Sequence, residues 1–168
     1  MGAAALIPVE EYLNSSYSPD CDFVHGRLVQ RNVGEKEHGR IQRAVIRYMS
    51  RYREAGLEAW PEQRIQITSD HYRVVDVCIT EGEPAEQVFT APPTVCIEIL
   101  SRKDTLAELQ DLDDYLSIHV PHIWIVNPWK RIAYTGSGRG FEKVPDSVFR
   151  AEIAGADIVM PPDQLFTL

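Results

Sequence analysis

Apolar residues recur at Ile41, Ala44, Val45, Tyr48 and Tyr52 with the i, i+3, i+4, i+7 spacing of one helix face. That pattern predicts a helix over residues 35–55, with Gly56 as its C-terminal cap. Leu57 to Thr68 and Tyr72 to Thr80, parted by the turn Ser69-Asp70-His71, predict two antiparallel strands. Thr94 to Leu100 is short, β-branched and almost wholly apolar, as a buried central strand should be, and His122 to Val126 is a second such run. Between them Leu106, Leu109, Leu112, Tyr115 and Leu116 mark one face of a helix from about 105 to 118, with Ser101 and Asp104 as caps. A strand–helix–strand crossover of this kind makes its two strands parallel. Pro8 to Leu13 predicts a short helix, and Asp22 to Arg31 two short strands turning at Gly26. Arg131 to Thr135 can pair back on the second apolar strand, and a weaker β segment follows at the C-terminus. The expected fold class is α/β: a mixed β-sheet flanked by helices.

Two carboxylates interrupt this pattern. By simple alternation Val75, Val77 and Ile79 share one face of their strand, while Asp76 shares the other with Val74 and Cys78. Glu98 lies between Cys96 and Leu100 on a face of the most hydrophobic strand. An unpaired buried carboxylate costs several kcal/mol or takes up a proton, so something must offset it. A divalent cation held by both acids would do so, since hard Mg²⁺ takes oxygen ligands. Pairing with Arg64, Arg73 or Arg102, or exposure of one acid at a strand edge, would also do so.

The chain has 168 residues, of which 44% are hydrophobic and 25% charged, so one domain, residues 1–168, is expected. No uncharged apolar stretch reaches the roughly 20 residues of a membrane-spanning helix. Three cysteines without CxxC spacing, and a start lacking the charged head of a secretory signal, point to the cytoplasm. A net charge of −8 excludes nucleic-acid binding by bulk electrostatics alone. The distribution is uneven: residues 36–53 hold six basic residues and one acid, and residues 81–114 nine acids and two bases. Arg40, Arg43, Arg47 and Arg51 form a basic stripe opposite the apolar face of the long helix, which could follow a phosphate backbone or pair with that acidic segment. Cys78 and Cys96 read as small hydrophobes in neighbouring strands, and His25, His38, His119 and His122 as residues of turns and helix ends.

Arg73-Val-Val-Asp-Val-Cys78, Pro92-Pro-Thr-Val-Cys-Ile-Glu-Ile-Leu-Ser101, Asp104-Thr, Asp114-Tyr-Leu, Val120-Pro and Trp124-Ile-Val-Asn-Pro128 together resemble the Uma-type putative restriction endonuclease family of the PD-(D/E)xK nuclease superfamily. Pro8-Val-Glu-Glu-Tyr-Leu, the turn from Asp22 to Gly26 and Glu35-Lys-Glu-His38 extend the resemblance over most of the chain. It implies a restriction-endonuclease-like core in which Asp76, Glu98 and the backbone carbonyl of Ile99 hold Mg²⁺ or Mn²⁺, and in which water attacks a DNA phosphodiester. Asp22 matches a further family acid that can approach that site. The partners it implies are DNA and a second copy of the chain as a homodimer, with no membrane. Three departures stand out: Val75 replaces the motif proline, Leu100 replaces the lysine two residues after the second acid, and Leu109 to Tyr115 lacks the basic residue the family supplies there. Either Lys103 reaches in from the loop as the third catalytic group, or that group is missing. The second case gives the alternative reading, a catalytically degenerate nuclease fold that binds or dimerises.

Overall fold

The structure is a computed structural model that describes residues 5–31, 35–106, 109 and 111–166. A hairpin opens the sheet, with β1 (Cys21–Val24) and β2 (Arg27–Gln30) turning at His25 and Gly26, both at positive φ. It follows the short helix α1 (Val9–Leu13). The long amphipathic segment forms α2 (Lys36–Met49), then tightens to a 3₁₀ turn over Ser50–Ala55 that ends at left-handed Gly56, φ +81°. Next come β3 (Leu57–Thr68) and β4 (His71–Glu81), paired antiparallel along their length.

β5 (Val95–Ile99) and β6 (His122–Asn127) are parallel, as the crossover required, and α3 (Asp111–Ser117) lies between them in sequence. The expected start of that helix near 105 is not observed: Leu106 belongs to a separate turn, and residues 107, 108 and 110 lie outside the described residues. β7 (Ile132–Ser137) and β8 (Gly140–Lys143) complete an eight-stranded mixed sheet ordered β2-β1-β4-β5-β6-β7-β8, with β3 on β4. The C-terminal β segment makes a hairpin of its own, β9 (Phe149–Ile153) with β10 (Ala156–Met160), before α4 (Pro162–Phe166).

The apolar pattern divides into two cores. Ile41, Val45 and Met49 of α2 pack with Val77, Ile79, Ile97, Trp124, Phe149 and Met160 on one side. Leu112 and Tyr115 of α3 pack with Cys78, Cys96, Ile123 and Ile125 on the other. β5 alternates between these cores as its sequence predicts, and Cys78 is the register partner of Cys96. β4 does not: Val75 joins the α3 side while Val77 and Ile79 join the α2 side, so the alternation breaks around Asp76. A smaller aromatic cluster of Tyr12, Phe23 and Tyr72 holds α1 and the first hairpin to β4. Among the described residues, no helix is long and apolar enough to cross a membrane.

Candidate functional site

β4 gives one edge to β3 for its whole length and divides the other between two strands. β5 pairs over Val77–Ile79 and β1 over His71–Tyr72, leaving a fork beside Arg73 to Asp76. A buried N–H without a partner costs about 1–3 kcal/mol. Carboxylates fill both gaps in the ladder: the Val74 N–H donates to Asp22 Oδ1 at 2.8 Å, and the Ile99 N–H to Asp76 Oδ2 at 2.7 Å. Asp76, which breaks its strand's pattern, and Asp22 therefore satisfy backbone groups where the sheet splits.

Asp76 is the better compensated of the central pair. The Arg31 guanidinium bridges it to Glu62 of β3, and His38 Nε2 of α2 lies 3.2 Å from its Oδ1. Gln42, one turn further along α2, donates from Nε2 to the Asp76 backbone carbonyl at 2.9 Å and to Glu62 at 2.8 Å. Burial alone would raise the Asp76 pKa, but the His38 hydrogen bond and the Arg31 charge outweigh it and hold the group below the ordinary aspartate range. Glu62 sits opposite on β3 at φ +48°, between the register pairs Pro61–Val77 and Gln63–Val75.

Glu98 receives a hydrogen bond from the Tyr115 hydroxyl of α3. Burial first, and then the charges of Asp76 and Asp111, push its pKa well above the ordinary value. The two acids thus differ in direction: their surroundings favour the charged form of Asp76 and the neutral form of Glu98. Beside them Arg73 contacts Asp22 at 2.9 Å, Asp111 at 3.2 Å and Asp114 at 2.6 Å. Burial, partly countered by Arg73, still raises Asp111 to about 6.

These side chains line a cleft of about 260 Å³ bounded by the fork, β2 and the loop after β5. Five carboxylates line it, Asp22, Asp76, Glu98, Asp104 and Asp111, against Arg31, Arg73 and His38. That donor set fits a hard cation. His38, Glu62 and Asp76 each bring one potential ligand atom within 4.8 Å of the others.

Asp76, Glu98 and Ile99 come together in the cleft. Lys103 does not join them: it is exposed on the turn after β5 and is not among the lining residues. The three arginines considered as partners of the central acids are engaged elsewhere. Arg64 pairs with Asp20, Arg73 with the outer acids, and Arg102 stacks on Trp129 at 4.4 Å. The arginine that does reach Asp76 is Arg31, at the end of the first hairpin, which no local pattern singles out. On α2, Arg40 pairs with Glu37 of its own helix and Arg51 covers the Tyr48 ring, while Arg43 and Arg47 are exposed. Among the described residues, no ion pair joins this stripe to acids of residues 81–114.

Residues 9–135 match the family model described as "Uma2: Putative restriction endonuclease". The chain belongs to the Uma2 family. The match takes in the fork, the cleft and both central acids, and it puts the chain among restriction-endonuclease-like nucleases. A solved structure described as a putative nuclease belonging to DUF820, from Anabaena variabilis ATCC 29413, superposes with a TM-score of 0.80. It is 20% identical, over 96% of this chain and 98% of that one, which establishes a shared fold. No curated protein matches the chain.

Proposed function

We propose that this Uma2 member is a divalent-cation-dependent endonuclease that hydrolyses phosphodiester bonds in DNA, with Asp76, Glu98 and the Ile99 carbonyl as cation ligands. The observation that carries the reading is the cleft itself: two buried carboxylates from neighbouring strands, one with no cationic partner among the described residues, within an excess of acids. Mg²⁺ or Mn²⁺ bound there would lower the pKa of a water and neutralise charge on a phosphate. The chain's own residues prepare for this. The Ile99 N–H fixes one oxygen of Asp76, and the Tyr115 hydroxyl orients Glu98. A cation bound there would favour the ionised form of Glu98. The exposed Arg43 and Arg47, with Arg40 and Arg51 beside them, supply a basic face for the DNA backbone.

The test is plasmid nicking by purified protein with Mn²⁺ or Mg²⁺. Asp76→Ala should abolish nicking, and nicking that survives the substitution defeats the assignment. A single-stranded RNA substrate in the same assay separates the two nucleic acids. A second reading, a catalytically degenerate binding module, draws support from the position of Lys103 outside the cleft and from the arginine already on Asp76. Calorimetric titration distinguishes it: no Asp76-dependent uptake of Mn²⁺ in the low-millimolar range would favour the module.

A further inference from the structure

The cleft wall carries two guanidinium groups with different commitments. Arg73 is tied down by Asp22, Asp111 and Asp114, through both Nε and Nη1. Arg31 instead spans one buried acid, Asp76, whose side chain is 4% exposed, and one open acid, Glu62, at 44%. It follows directly on β2, an edge strand exposed at every position, so its side chain can leave without breaking a ladder. Its Nη2 sits where positive charge is most needed, on the Asp76 carboxylate that also faces His38 and supports Ile99, while Nη1 reaches out to Glu62. A divalent cation taking Asp76 would compete with the guanidinium for the same oxygen.

We propose that Arg31 is a displaceable stand-in for the cation: it neutralises Asp76 until the metal binds, then swings into the cleft and holds a phosphate oxygen of the substrate. This rests on the nuclease reading above and deepens it. It also supplies the positive charge that Lys103 does not bring to the cleft and that α3, which reads Asp111-Leu-Asp-Asp-Tyr115, does not carry. A planar guanidinium suits both stations, since it can fork between two carboxylates and equally between two phosphate oxygens.

The two roles predict effects of opposite sign from one substitution, which a purely structural residue would not give. Mn²⁺ alone is titrated into the full chain by calorimetry, for the wild type, Arg31→Met, Arg31→Lys and Asp76→Asn. Removing a competitor that occupies most of the metal-free population should tighten Mn²⁺ binding by at least about fivefold in Arg31→Met. At saturating Mn²⁺ the same variant should nick plasmid more slowly, by roughly 10²-fold. Arg31→Lys keeps the charge but cannot bridge Asp76 and Glu62. It should bind Mn²⁺ more tightly than the wild type by a smaller factor, and it carries the comparison if Arg31→Met does not fold.

Asp76-dependent Mn²⁺ binding in the wild type, with unchanged or weaker binding in the Arg31 variants, overturns the stand-in role and leaves the nuclease reading intact. Tighter binding with undiminished nicking overturns the phosphate role. Absence of Mn²⁺ binding in the wild type and in both Arg31 variants removes the cation site and this inference with it.

Discussion

The sheet has a closed half and an open half. Between β5 and β6, and between β6 and β7, each interface runs for five register pairs, and apart from Glu98 the residues of β5 and the middle of β6 are apolar and buried. At the fork, β1 reaches β4 through two pairs and β5 through three, and side-chain carboxylates take over where backbone partners stop. Aspartate is disfavoured in strands because it competes for backbone donors. In the fork that competition becomes useful, since the donors have no strand to meet. The comparison shows how one fold can host charge in its interior: by leaving its ladder incomplete at one place and keeping it whole elsewhere.

The contrast can be broken most forcefully at Arg73. Arg73→Ala leaves Asp22, Asp111 and Asp114 around an empty space, and should cost about 3–5 kcal/mol in a urea titration, as for a buried pair deprived of one partner. A loss below 1 kcal/mol would mean that water already screens the cluster. Glu98 tests the proton. Its folded pKa lies above the unfolded value near 4.5, so the folded state binds the extra proton and stability falls as pH rises past that value. The slope is about 1.4 kcal/mol per pH unit while the folded group stays protonated and the unfolded one is ionised. Glu98→Gln should abolish it, giving a higher midpoint than the wild type at pH 7 and no gain at pH 4. Thermal melts across that range at fixed salt would show equal pH profiles if Glu98 were ionised throughout.

Asp22→Ala opens the ladder gap and also removes one of the three carboxylates around Arg73, which keeps Asp111 and Asp114. It strands the Val74 N–H and should cost about 1–3 kcal/mol, with Val74 amide exchange accelerated. In the closed half, Ile125→Val trims a methylene from a full interface and should cost about 1 kcal/mol. A larger loss there than at Asp22 would reverse the ranking of the two halves.

Much of this was legible in the residue pattern. The alternation of β5, the parallel crossover, the first hairpin and the amphipathic face of α2 follow from local periodicity, which needs only neighbours in sequence. Asp76 and Glu98 were visible as violations of that periodicity. Three features were not visible, for one reason: they depend on contacts across the fold. The break in alternation at Val75 to Val77 arises where β4 changes partners. The link from Arg31 to Asp76 spans 45 positions. Lys103 is near Glu98 in sequence, but the turn after β5 carries it to the surface.

The first hairpin pairs with β4 in register only at Phe23 and Val24, with the rings of Tyr12, Phe23 and Tyr72 packed beside that short ladder. It carries Asp22 near the start of β1 and Arg31 just after β2, both at the end away from the turn. A short ladder and one aromatic cluster mark it as a unit that would open before the longer ladders of the sheet. Such an opening would withdraw an acid and a guanidinium from the fork together, which links the packing of three rings to the charge balance of the cleft.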